Sequence, residues 1–473
     1  MPVLFIAIPL LGVIILNLAG KKTGSSLAMW IGMLVSLIQM VISLTAGALL
    51  WKNLAQAINI DFLVNLQLDY FSLVVLFTIG LICAISLIVG NYTTGAQKFN
   101  FVNLILLIIL GMNGVVMVSD LFSLYVFLEI TGVASFILIA LFKDRDGLEG
   151  AFKYLVMSAV ATVFMLTAIA CVFMSVGQLG YQEVNSFLVF TQGNYPFQLV
   201  IALVLFTAGL SIKAGLVPFH GWVPDAYSSA PNPVSVLLGG IVTKVAGVYT
   251  LMRLAITVFN NIEPVAYSLM VLGIVSIIVG ALAAIGQGDF KRMLAYSSIS
   301  QLGYIVLGVA AGTPLGIIGA VLHFFNHATF KSCLFINSTA VEMQTGTREL
   351  NKLGGLAARM PVTGVSSVLS FLSTAGIPPL SGFWSKVLII VAVWQAGFHG
   401  MAAVALMASI LTLAYFLILQ RKVFFGKVAQ GLEKVTECKK GIAWSAVILS
   451  VITVGMGVLF PFVLLFMQAR GLI

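Results

Sequence analysis

The chain reads as an all-α polytopic membrane protein, with about 14 transmembrane helices, two inverted five-helix repeats and interrupted helices 7 and 12. Three observations predict this. Of 473 residues, 60% are hydrophobic and only 8% are charged, with a mean hydropathy of +1.12. A soluble core of this length needs a far larger polar surface. Apolar runs of membrane-spanning length, about 17–25 residues, recur along the chain. Two of them are broken by glycine and proline close to a lysine.

The runs fall near 2–19, 27–50, 69–90, 101–118, 121–142, 153–176, 197–218, 232–258, 265–285, 293–312, 315–341, 362–396, 401–420 and 443–468. They are continuous and lack period-two alternation, which excludes a β-barrel. The first run has no basic residue before it and no small-residue cleavage pattern, so it reads as a helix and not a signal peptide. Basic residues orient the spans. With the N-terminus outside, seventeen Lys and Arg fall in inner loops, from Lys21 and Lys22 to the cluster between Arg421 and Lys440. Only Lys52, Arg253 and Arg470 fall outside. Positive loops face inward, and one miscounted helix would scatter the asymmetry. Both termini are then outside. The terminal basic cluster reads as topological anchoring, and also suits a partner or anionic lipid. The net charge of +9 therefore reports topology and not nucleic-acid binding.

Four lysines, Lys213, Lys244, Lys331 and Lys386, lie within spans, and Glu129 is the one acid well inside a span. Each charge at mid-bilayer costs about 2.5–3.5 kcal/mol. Such groups pair, line aqueous cavities or carry ions; the plainer alternatives are polar glue between helices and snorkelling. Burial disfavours the charged form of a lysine, and a nearby carboxylate restores it. Glu129 and Lys213 are candidates for such a pair, which Lys244 extends. The stretch HFFNHATFK sets His323, His327 and Lys331 on one helical face, about 6 Å apart along the axis. Histidine passes protons through its two nitrogens; a hydrogen-bonded interior histidine is the plainer reading of each.

Both interrupted spans carry prolines. KAGLVPFHGWVPDA has Pro218 and Pro224 after Lys213, and STAGIPPLSGFWSK has Pro378 and Pro379 before Lys386. Unwound backbone in a bilayer survives only where protein or water covers it. Spans 4–8 and 9–13 are five helices each, the odd count inverts the second set, and the broken helix is the fourth of each. Matched breaks point to an ion path, whereas either alone reads equally as a kinked helix. The expected divisions are 1–100 (helices 1–3), 101–258 (first repeat), 265–423 (second repeat) and 424–473 (inner loop and helix 14). His220 and Asp225, past the first break, read as an inner proton entrance or as a capped turn. Cys83, Cys171, Cys333 and Cys438 are far apart with no CxxC, so no metal site, cluster or disulfide is expected. Two histidines on one face of one helix are poorly placed to clasp a haem. No cofactor is expected in this chain.

The segments KAGLVPFHGWVPDAYSSAPNPVSVLLGGIVTKVAGVYTLMR, GDFKRMLAYSSISQLGY, HFFNHATFKSCLF and TAGIPPLSGFWSK resemble the antiporter-like subunits of the complex I superfamily. These include membrane-arm subunits of NADH:quinone oxidoreductase, Mrp-type sodium/proton antiporter subunits and subunits of membrane-bound hydrogenases. The resemblance covers about residues 69–423. It implies fourteen helices, inverted repeats of helices 4–8 and 9–13, and breaks in helices 7 and 12. It also implies that Glu129 in VFLEITG pairs with Lys213, and that Lys244 is the connecting base of helix 8. His323, His327 and Lys331 become the polar positions of helix 11, and Lys386 the exit lysine of helix 12. Some members carry glutamate at that last position, so the lysine marks a subtype. The chain ends soon after its fourteenth span, as the shorter members do, and DLFSLYVFLEITGVASF with Lys331 leans toward the Mrp-like and hydrogenase-type branch.

The function implied is proton, or sodium/proton, translocation by one subunit of a multisubunit energy-converting complex. Its partners are other membrane subunits, with a redox module or small antiporter subunits, in the lipid bilayer of the cell membrane. Protons enter near Lys244, pass along helix 11 and leave through Lys386. The energy comes from elsewhere, since no nucleotide fingerprint or redox motif is present. A membrane-arm subunit of NADH:quinone oxidoreductase and a stand-alone secondary transporter are the alternatives.

Overall fold

The computed structural model describes residues 1–20, 25–53, 57–61 and 65–469. Lys21, Lys22 and Arg470, which bear on the orientation of the spans, lie outside the described residues. In chain order the elements are α1 (Pro2–Ala19), α2 (Ser25–Asn53), β1 (Ala57–Asp61), β2 (Asn65–Asp69), α3 (Tyr70–Thr93), α4 (Lys98–Met117), α5 (Leu121–Ile139) and α6 (Arg145–Val176). Then come α7 (Tyr181–Thr191), α8 (Phe197–Ala214), α9 (Trp222–Ser229), α10 (Asn232–Val258), α11 (Glu263–Ile285), α12 (Phe290–Ala310) and α13 (Pro314–Thr345). The chain closes with α14 (Pro361–Ala375), α15 (Ser381–Gln395), α16 (His399–Val423) and α17 (Lys440–Ala469).

Among the described residues, twelve helices are long and apolar enough to cross a membrane. Helix α13, at 32 residues, is also long enough, but its polar stripe dilutes its apolar character. Helices α14 and α15 have 15 residues each and together make one further crossing. With these two the count is fourteen, in a multi-pass membrane protein. The run expected as one span at 362–396 is therefore two helices. Pro378 and Pro379 have no N–H to continue α14, and the chain turns at Gly376.

Two elements are additional to the expected spans. Strands β1 and β2 form an antiparallel hairpin, with Ala57 opposite Asp69. Helix α7 is a short amphipathic piece between two crossings, burying Tyr181, Val184 and Leu188. Several loop acids are helix caps: Asp69, Asp120, Asp144 and Asp289 each accept a backbone N–H from the first turn of the following helix.

The chain divides into two compact units, Met1–Gly215 with Ser229–Val265, and Leu216–Ser228 with Ala266 onward. In the first, α6 packs along α8, α2 along α3 and α4 along α5. Helix α10 is widened to π-helical period at Leu238–Val242, Lys244–Tyr249 and Leu254–Val258. The Thr243 and Thr250 hydroxyls accordingly bond carbonyls five residues back, at Leu238 and Val245. In the second unit α13 is the spine, packed by α12, α14, α15 and α17. Large side chains such as Phe152 and Phe173 on α6, and Leu406 and Ile410 on α16, stay exposed. In a membrane protein those faces meet lipid.

Candidate functional site

The first unit brings Glu129 and Lys213 together. The Lys213 Nζ lies 3.1 Å from Glu129 Oε1, and the lysine side chain is only 5% exposed. The pair joins α5 to α8, and α6 steadies it from the side. Thr162 Oγ1 donates to Glu129 Oε1 at 2.7 Å, and Lys213 donates to Ser158 Oγ at 3.4 Å. Ser158 and Thr162 stand four residues apart, so they share one face of α6. Helix α10 meets α8 beside this pair. A Cβ on Gly247 would stand 2.2 Å from the Ala214 Cα, so only glycine permits the approach. Lys244 is wholly buried on α10 and donates to the Gly239 carbonyl. That carbonyl, five residues back, is within reach because the helix is widened there.

The second unit holds the α13 stripe. His323 Nδ1 is 2.8 Å from Ser385 Oγ, and its ring stacks on His327 at 6.3 Å between centroids. Lys331 donates to Ser297 Oγ at 2.5 Å and to the Leu294 carbonyl at 3.3 Å, both on α12. Ser297 Oγ lies 2.8 Å from the Tyr415 hydroxyl. Lys386, on α15, is 3% exposed. Its Nζ makes no hydrogen bond among the described residues and sits over the Tyr304 ring, 4.6 Å from the centroid. The same ring is 6.0 Å from His323. Tyr304 thus stands beside both the stripe and Lys386.

The two interrupted spans end alike. Gly215 (φ 68°) closes α8 two residues after Lys213, and Gly376 (φ 87°) closes α14. This left-handed turn favours glycine. The released backbone groups find side-chain partners. Val217 N–H donates to Ser276 Oγ at 3.0 Å, and Gly382 N–H to Ser373 Oγ at 3.1 Å. His220 packs against Tyr296 at 6.4 Å, while Asp225 is ion-paired to Arg292 at 2.5 Å. Helix α12 thus faces both candidate entrance residues with one side.

Two buried charges escape a reading of the sequence. Arg253 reads as an outer-loop residue, yet it lies within α10, five residues before its end, 7% exposed and paired with Asp69 at 2.5 Å. Lys291 reads as an inner-loop residue, yet it is 2% exposed in the first turn of α12. Both sit near helix ends, where a linear hydropathy window cannot tell a loop charge from a buried one. The serine and threonine partners leave a weaker signal, the four-residue spacing of Ser158 and Thr162.

A family model described as NADH:quinone oxidoreductase/Mrp antiporter, transmembrane, matches residues 118–412. The chain belongs to this family. The match spans the ionisable residues of both clusters, from Glu129 to Lys386. NADH-quinone oxidoreductase subunit N of Desulforudis audaxviator is 39% identical over 333 residues, 69% of this chain and 66% of that protein. An Na(+)/H(+) antiporter subunit of Alkalihalophilus pseudofirmus is 35% identical over 318 residues, 67% of this chain and 64% of that one. The aligned chain thus spans just under two thirds of these two relatives. In a solved Mrp complex from a Dietzia species, one chain matches with a TM-score of 0.89 at 25% identity, over 98% of this chain and 95% of that chain.

Proposed function

We propose that this chain is a proton-translocating, antiporter-like subunit of a multisubunit, energy-converting membrane complex, in the cell membrane with both termini outside. The observation that carries the reading is the Lys213–Glu129 contact at 3.1 Å inside the span region. A carboxylate that faces a lysine so nearly buried compensates its charge. When the contact lengthens, the charge loses its compensation and the proton is released; when it closes, a proton is taken up. In this account Glu129 and Lys213 form the switch, Lys244 the base that follows it, and His323, His327 and Lys331 the carriers. Lys386, held by an aromatic face, is the site from which the proton leaves. Coupling energy comes from partner subunits.

The likeness to the Mrp complex and to an Na(+)/H(+) antiporter subunit supports an Mrp-type assembly. A second reading, a membrane-arm subunit of an NADH:quinone oxidoreductase, is favoured by the 39% identity to subunit N. Gentle solubilisation followed by identification of co-purifying subunits separates them. Small membrane subunits alone support the Mrp reading, flavin- and NADH-binding subunits the second, and iron–sulfur and nickel subunits a hydrogenase. Migration of the chain by itself contradicts all three.

A further inference from the structure

Helix α13 continues its polar face beyond Lys331. Eleven residues on, at about 16 Å along the axis and about 20° around it, the same face presents Glu342. Its side chain is 28% exposed and faces Lys291 of α12, with Glu342 Oε2 at 3.5 Å from Lys291 Nζ. Lys291 is nearly inaccessible, at 2%. Arg348 bridges Glu342 and Asp289 from the following loop, at 3.5 and 3.3 Å. Lys331 meets the same helix further in, at Leu294 and Ser297. Ser338 lies between, on the same helical face. Its hydroxyl is buried and makes no hydrogen bond among the described residues. Thus α12 and α13 share a polar seam, open to water at Glu342 and ending on Lys331.

We propose that Glu342 and Lys291 form a proton-loading station for the α13 carriers, placed at the end of the seam that bears the basic loop residues. The proposal rests on the translocation reading above. The Glu342 carboxylate takes one proton from water, which removes the counter-charge of Lys291. A buried ammonium without its partner is strongly disfavoured. Lys291 therefore gives its own proton along the seam, through the Ser338 and Ser297 hydroxyls, to the neutral Lys331 amine. The proton on Glu342 then moves to Lys291 and restores the pair. One proton enters and one is delivered. Lys291 from α12, Asp289 at its N-cap, and Arg348 from the loop after α13 are the charged groups facing the carboxylate.

The test uses inverted membrane vesicles containing the whole complex, with the loading side turned to the medium. Glu342→Gln is expected to translocate about tenfold more slowly than wild type at medium pH 8 and to recover to within about twofold at pH 6, where more abundant protons replace the collecting group. Because the single change leaves Lys291 buried without its partner, Lys291→Met/Glu342→Gln, which removes the charges together, is run beside it and is expected to show the same loss at pH 8. Wild-type rates at pH 8 in either variant overturn the proposal, as does an equal loss at both pH values in assembled complexes. Lys331→Ala keeps the two readings apart. Its loss at both pH values is required by the translocation reading, and full activity there overturns that reading and not the loading station alone.

Discussion

The Lys386 ammonium rests 4.6 Å from the centre of the Tyr304 ring, and among the described residues it forms no ion pair. An aromatic face attracts a desolvated cation by about 2 kcal/mol, less than a close carboxylate does. In the first unit Lys213 has the opposite arrangement, with Glu129 at 3.1 Å. One lysine faces a carboxylate and the other an aromatic ring.

The ring therefore matters more than its hydroxyl. Tyr304→Phe keeps the face over Lys386 and gives up the hydroxyl's contacts with the Ala405 carbonyl and Ser409 Oγ. It is expected to translocate within about fivefold of wild type, a lost hydrogen bond being worth about 1 kcal/mol. Tyr304→Leu removes the face, and with about 2 kcal/mol lost a tenfold or greater decline is expected. Proton uptake by reconstituted complexes checks both, and equal rates in the two variants contradict the assignment.

Thr162 orients Glu129 by donating to the same oxygen that receives Lys213. Thr162→Val keeps the shape and removes the donor, at about 1 kcal/mol. Coupled translocation is expected to fall about fivefold with assembly intact. Thr162→Ser restores it. A valine variant that couples normally leaves Thr162 as packing alone.

Cys438 lies in the loop before α17, where burial, with Glu437 alongside, pushes its thiol up to about 12. Glu437 is held in place by capping α14, accepting the N–H groups of Val362 and Thr363 at 2.8 and 3.2 Å. Since the thiolate is the reactive form, only about one molecule in ten thousand carries it at pH 8. Iodoacetamide is expected to leave Cys438 unmodified in the folded complex at pH 8, and to react faster as the pH rises or after denaturation. Peptide mapping by mass spectrometry reads this directly, and rapid labelling at pH 8 contradicts it.

The span count and both helix breaks were legible in the sequence because lipid imposes a length and proline removes a donor wherever it stands. The in-span ionisable residues were legible because charge is rare in oily segments, and Glu129 and Lys213 do meet. What lay hidden depends on three dimensions. Arg253 and Lys291 read as loop charges, since burial at a helix end comes from neighbouring elements and not from the local run. Tyr304 reads as one aromatic among 12 tyrosines, because nothing in its own helix announces the lysine that packs on it from α15. The π-helical widening of α10, which brings Gly239 within reach of Lys244, has no hydropathy signal. The paired strands at 57–61 and 65–69 are too short to stand out between two long apolar runs.

The central claim is that the Lys213–Glu129 pair moves protons and does more than hold α5 to α8. Its most direct test is proton translocation by reconstituted complex carrying Lys213→Ala, with assembly checked by native electrophoresis. The account predicts an assembled complex with translocation lowered by at least about two orders of magnitude, as for loss of a positioned acid–base group. An assembled Lys213→Ala complex that translocates protons at the wild-type rate contradicts it.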